Sequence, residues 1–232
     1  MKSGELTRRT RGVAKAEVGS WKLGLGTTRG QQSHEKRGIG IPTFEDKILQ
    51  RAVVMLLEPI YEEEFYDFSF GFRPGKSPHQ ALKYLRDQCF EQDVAYVLDV
   101  DIRKYFDSID HAHLREILHR RVGDGVITRL INKWLKAGVW EEGLVQNPEV
   151  GSPQGGVISP LLSNVYLHTV LDHWYVQDIQ PHLQGKSFLV RYADDFVMGF
   201  ANKSDAESML EALKERFAAY GLRIHDLRNR VR

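Results

Sequence analysis

Cysteine is almost missing from this chain. Cys89 stands alone, which excludes an internal disulfide and any cysteine metal cluster and suits a reducing cytoplasm; the residue itself reads as a packing side chain. Long apolar runs are missing too. The longest, Ala52 to Leu57, is far too short against the roughly 20 residues a membrane helix needs. The charged stretch Met1 to Gly12 has no apolar segment behind it, so neither a membrane helix nor a signal peptide is expected. No internal repeat is evident, and a net charge of +1 over 232 residues does not by itself point to nucleic acid.

What is there suffices for a folded domain: 42% of the residues are hydrophobic, enough for a sizeable core. Charge is distributed unevenly. Residues 1 to 40 hold nine Lys or Arg against Glu5, Glu17 and Glu35, and the remainder is net acidic. A basic arm of this kind can lie along a phosphate backbone; a solvated, poorly folded tail is the alternative. Up to about Gly40 there is little periodicity and much Gly, Ser, Thr and Arg, so residues 1–36 read as a basic, disordered segment.

Regular structure is predicted from Thr43 onward. Thr43 caps a helix whose apolar positions Ile48, Leu49, Ala52, Leu56, Leu57 and Ile60 recur at helical spacing, with Pro59 near its end. Ser77, Pro78 and Gln80 open a second helix that buries Ala81, Leu82 and Leu85. Val94 to Ile102 alternates as a strand, with Tyr96, Leu98, Val100 and Ile102 on one face and Asp99 and Asp101 on the other. Helices follow over His111–Val122, Val126–Ala137 and Pro160–Asp178. Phe188–Tyr192 and Phe196–Phe200 form a hairpin turning at Ala193, Asp194 and Asp195, and a capping box from Ser204 to Glu207 opens a last helix carrying Met209, Leu210, Leu213 and Phe217 inward. Helices on one face of a small antiparallel sheet give an α+β architecture.

Asp194 and Asp195 side by side in a tight turn repel one another, and a divalent cation relieves the repulsion. With Asp101 from a second strand end, three carboxylates can converge on Mg²⁺, which takes a few carboxylates and completes its shell with substrate phosphates. Asp99 is the competing ligand. Two such ions make a phosphoryl-transfer site. Against this stands the frequency of Asp in turns for conformational reasons alone.

The residues around the pair carry a resemblance. Tyr192-Ala193-Asp194-Asp195 lies downstream of Gly151-Ser152-Pro153-Gln154-Gly155-Gly156-Val157-Ile158-Ser159-Pro160. Ahead of both come Gly40-Ile41-Pro42-Thr43, Ser69-Phe70-Gly71-Phe72-Arg73-Pro74-Gly75, and Asp101-Ile102-Arg103-Lys104-Tyr105-Phe106. In this order the blocks resemble those of reverse transcriptases encoded by group II introns, from about Arg37 to Leu222. The resemblance implies fingers and palm subdomains over residues 37–222 and an RNA-directed DNA polymerase that uses two Mg²⁺ ions. Its partners would be an RNA template, a DNA or RNA primer, deoxynucleoside triphosphates and, beyond these, group II intron RNA.

Carried over by position, the resemblance implies Asp101, Asp194 and Asp195 as the catalytic carboxylates, with Ile102 beside them at the metal. It implies Phe106 at the sugar 2′ position, Gln154 beside the incoming nucleotide, and Arg37 at the triphosphate. Arg73, Tyr192 and Ala193 fall toward template and primer, Arg73 being either a template contact or structural, and His111 reads as a structural or capping histidine. Taken singly, Phe106 fits a core aromatic equally well, and Gln154 a turn residue.

The pattern departs at both ends. Gln31 stands where the family carries a lysine, and Arg37-Gly38-Ile39-Gly40 replaces the usual Arg-Pro-Leu-Gly. Residues 223–232 form an atypical basic tail, with no sequence for a thumb or maturase region. The expectation is therefore a truncated or decayed frame; the alternatives are a catalytically silent RNA-binding remnant and an incomplete subunit that needs a separate thumb or maturase partner.

Overall fold

Thr43 has extended backbone, and its hydroxyl accepts from the Asp46 amide, so the first turn of α1 (Phe44–Glu62) is capped as its sequence predicts. The computed structural model describes residues 42–136, 139–141, 144–146, 156–225 and 230–231, all within one of the chain's two units, residues 37–232. Arg37, Gly151, Gln154 and Gly155 lie outside the described residues.

α1 buries a different stripe from the one its periodicity suggests. Gln50, Val53, Val54, Leu57 and Tyr61 face the core, whereas Ile48, Leu49, Leu56 and Ile60 are exposed. Apolar residues surround most of this helix, so spacing cannot choose the face. The choice falls on the side where Gln50 can be satisfied: its Oε1 accepts from the Ile158 amide at 3.3 Å.

α2 (Pro78–Glu91) starts at Ser77, whose hydroxyl accepts from Gln80 N, with Pro78 in the first turn. Ala81 is its one buried residue and Leu82 stays half-buried; Tyr84, Leu85 and Cys89 complete the packed face. After β1 (Tyr96–Val100) comes the short α3 (Tyr105–Ser108), which has no periodic signal of its own. α4 (His111–His119) is capped by the Asp110 carboxylate, which accepts from Ala112 N and His113 N. α5 (Gly125–Lys136) and the small hairpin β2 (Val139–Glu141) and β3 (Leu144–Gln146) follow; the hairpin was not foreseen.

The helix expected over Pro160–Asp178 is α-helical only in α6 (Ser159–Leu167). It then widens into π-turns over His168–His173 and Tyr175–Ile179. Val170, Leu171 and Asp172 are all fully buried, continuing the all-round burial of Leu161 to Leu167 in α6.

β4 (Ser187–Tyr192), β5 (Asp195–Phe200) and β1 form an antiparallel sheet, with β6 (Arg230–Val231) added beyond β1 in the order β4-β5-β1-β6. The stretch expected as an atypical tail is thus partly built into the sheet: Leu98 pairs with Val231, and Arg103 N donates to Arg223 O. α7 (Lys203–Ala219) begins one residue before the expected capping box. Its N-cap is Asn202, and the Asp205 carboxylate instead accepts from Gly185 N at 2.8 Å.

Pleating divides the sheet residues between two faces. Leu98, Val100, Ile102, Phe196, Met198 and Phe200 join α1, α4, α5, α6 and α7 in the main core, while Phe188 and Val190 pack toward α2. The class is the α+β predicted, but helices cover both faces of the sheet, since α2 packs on the Phe188 and Val190 side, opposite the main helical layer. Leu57→Ala, in the buried stripe of α1, should lower the free energy of unfolding in urea by about 2–5 kcal/mol. Ile48→Ala should change it by less than about 0.5 kcal/mol, and equal losses would refute the assigned face.

Candidate active site

Val100 lies opposite Phe196, and Asp99 opposite Val197, across the β1–β5 pair. The ladder ends where Val100 meets Phe196. Asp101 follows Val100 and Asp195 precedes Phe196, Asp195 being the partner of Tyr192 across the hairpin, and pleating turns both away from the face of Val100 and Phe196. The two carboxylates therefore lie at one end of the sheet, with Asp194 in the turn beside them. Asp99 shares their face two residues further back, between Val197 and Arg230. Asp101 and Asp194 are half-buried and Asp195 is exposed. The turn also faces the start of α3: burial holds the Tyr105 phenol well above its ordinary value, and the charge of Asp194 pushes the same way.

The turn itself is forced. Ala193 has φ +59°, a left-handed conformation costing an L-residue about 1–2 kcal/mol. Its carbonyl accepts from Arg191 Nη1 at 2.9 Å, and its amide abuts Gly71, where an added Cβ would stand 2.1 Å from Ala193 N. Only glycine permits that approach. Asn164 ties the pieces together, donating to Gly71 O at 2.8 Å and accepting from Arg191 Nη1 at 2.9 Å. The rest of the Arg191 guanidinium forks onto Asp172 at 2.6–3.1 Å, and neither side chain has any exposed surface.

Among the described residues no three His, Cys, Asp or Glu side chains gather into a group that could hold a metal ion. Asp101 and Asp194, both half-buried, offer carboxylate oxygens at the same end of the sheet. Mg²⁺ takes such a set, one or two carboxylates completed by substrate phosphates and water, so the residues fit the ion.

A family model described as reverse transcriptase (RNA-dependent DNA polymerase) matches residues 29–227. This chain belongs to that family. Among its relatives, the group II intron-encoded protein LtrA of Lactococcus lactis subsp. cremoris is 42% identical over 147 residues, across 63% of this chain and 24% of LtrA. Protein YkfC of Escherichia coli (strain K12) is 36% identical over 207 residues, 77% of this chain and 54% of YkfC. The chain thus spans about half the length of one relative and a quarter of the other. Apo telomerase from Candida tropicalis, truncated from its C-terminal domain, shares the fold with a TM-score of 0.57 at 14% identity, over 81% of this chain and 40% of that one.

Around the acidic turn of this reverse transcriptase, Phe106 is half-buried on α3, edge-on to Tyr105 at 5.3 Å. Tyr192 packs half-buried at the end of β4, beside the buried Ala193. The Ile102 side chain is core, and His111 is buried at the start of α4. Arg73 takes the structural of its two readings. It is 8% exposed, and its guanidinium is spent on Glu62, Tyr66 O and Ser69 O at 2.7–3.1 Å.

Reasoning from sequence missed Arg191, Asp172, Asn164 and Gly71. A signal existed for two of them: Arg191 interrupts an apolar strand and Asp172 an apolar helical run, and buried charges of opposite sign imply each other. Asp172→Ala or Arg191→Met alone should lower stability by about 3–5 kcal/mol in urea unfolding, because each strands a buried charge. The double variant Arg191→Met/Asp172→Leu should recover most of the loss; single losses below about 1 kcal/mol would show that the pair is not the anchor.

Proposed function

We propose that this reverse transcriptase domain adds deoxynucleotides to a DNA or RNA primer paired with an RNA template, in the cytoplasm, with group II intron RNA among its templates. One observation supports the reading: the β1–β5 register ends at Val100 and Phe196, the neighbours of Asp101 and Asp195, with Asp194 in the adjoining turn. Asp101 and Asp194 would hold the ions with the Ile102 carbonyl, and the exposed Asp195 is the third carboxylate. Mg²⁺, two ions in this reading, when bound supplies the acidity of the primer 3′ hydroxyl and neutralises charge on the departing pyrophosphate.

The remaining roles belong to the chain. Phe106, fixed between Tyr105 and the core edge, stands against a 2′ hydroxyl and so selects deoxynucleotides. Tyr192 and Ala193 face the primer end, and the rigid turn keeps the carboxylates from shifting as charge develops. Gln154 would sit beside the incoming nucleotide and Arg37 on its triphosphate, where a guanidinium donates two parallel hydrogen bonds. The Gln50 bond to Ile158 N tethers the segment that follows Gln154 to α1.

Incorporation of a deoxynucleotide on a primed RNA template should require Mg²⁺ and fall at least about 100-fold in Asp194→Ala. Phe106→Val should raise ribonucleotide use relative to deoxynucleotide use. Equal incorporation by the parent and Asp194→Ala would sink the assignment of the carboxylates. A parent that binds primed RNA and incorporates nothing would support the catalytically silent RNA-binding alternative.

A further inference from the structure

Phe72 combines two features a phenylalanine does not seek. Its side chain is 56% exposed, and its backbone is left-handed at φ +58°. A bulky residue persists in that region only where its surroundings over-determine it, and here both flanks are clamped. On the N-terminal side, Phe70 N donates to Arg191 O at 2.8 Å, Gly71 O accepts from Asn164, and Gly71 is jammed against the Ala193 amide. On the C-terminal side, the buried Arg73 guanidinium grips Tyr66 O, Ser69 O and Glu62 and stacks 5.2 Å from the Phe65 ring centre. The clamps present the Phe72 ring to solvent one residue away from a backbone contact with the acidic turn.

Sheet order decides what the ring faces. Residues 68–70 run along the outer edge of β4, whereas β1, with Asp101, and α3, with Phe106, lie on the far side of β5. On the polymerase reading, a nucleotide whose phosphates and sugar lie on the β1 side would present its base to a template on the β4 side. Every base offers a π-face, and exposed aromatic rings are the usual partners of unpaired bases.

We propose that Phe72 is a stacking platform for an unpaired template base at the polymerising turn, with Arg73 shaping the loop instead of touching the template. The inference rests on the polymerase reading above. It is tested by fluorescence anisotropy with the full 232-residue chain and a labelled primed RNA template. One version of the template is intact, and another has an abasic residue at the first unpaired position.

The parent should bind the intact template about tenfold more tightly than the abasic one. Phe72→Tyr and Phe72→Trp should keep that ratio, and Phe72→Leu and Phe72→Gly should bring it to about one. Phe72→Gly accepts the left-handed backbone without strain and should melt no lower than the parent, which separates loss of stacking from loss of fold. A parent ratio near one, or an unchanged ratio in Phe72→Gly and Phe72→Leu, overturns the proposal. Asp194→Ala keeps the base-dependent ratio while losing incorporation, so an inactive parent with the tenfold ratio refutes only the polymerase reading. An active parent without the ratio refutes only this inference.

Discussion

The fully buried ion pair between Arg191 and Asp172 is the constraint on which the acidic turn depends. Two charges withdrawn from water are costly, and their attraction offsets the cost only where geometry is good and the remaining donors are used. Here the guanidinium forks onto the carboxylate, and its remaining Nη1 bonds go to Asn164 Oδ1 and Ala193 O. One side chain thereby joins the last turn of β4, the end of α6 and the π-turn at Asp172. Through Asn164 it also reaches the Gly71 loop. The π-turn carries Asp172 into the ion pair within a buried run that also holds Val170 and Leu171.

Such a frame suits a site whose own residues repel. Carboxylates concentrated at one sheet end gain nothing from each other, and Ala193 adds backbone strain between them. Three of the four non-glycine residues with positive φ among the described residues, Phe72, Lys104 and Ala193, belong to the acidic turn or to loops beside it. Strain of this kind survives where the surroundings leave no alternative. The stability comes from elsewhere, from the helical layer on the other face of the sheet, where Leu98, Val100, Phe196 and Met198 meet α6 and α7 in a core with almost no exposed surface.

Much of this was legible in the amino-acid order because it rests on local chemistry. The caps at Thr43 and Ser77, the alternation from Val94 to Ile102 and the paired apolar runs around Ala193-Asp194-Asp195 each have a short-range cause, and each element appeared. The failures are of two kinds. The face of α1 and the start of α7 depend on contacts from distant segments, Ile158 on Gln50 and Gly185 on Asp205, which no local pattern contains. The frame behind the turn was missed because a single Arg or Asp in an apolar run has no partner in the sequence, only in space. Arg73 shows the reverse: its motif suggested a role on the template, yet its burial among Glu62, Tyr66 and Ser69 makes it part of the scaffold.

Scaffold and site are therefore not separate layers in this fold. Gly71 touches Ala193, Asn164 binds Gly71 and Arg191 together, and the next residue after Gly71 is the exposed Phe72. A displacement of the Arg191–Asp172 pair would move the carboxylate turn and the Phe72 loop in the same direction, because both hang from the same side chains. In the proposed reading, the two surfaces that meet one nascent base pair are thus held in register by a single buried charge pair. Strand geometry fixes the carboxylates relative to each other, and the ion pair fixes them relative to the loop. That division explains why the costliest interaction in the structure lies beneath the turn and not within it: a group placed there positions both surfaces at once without taking part in the chemistry of either.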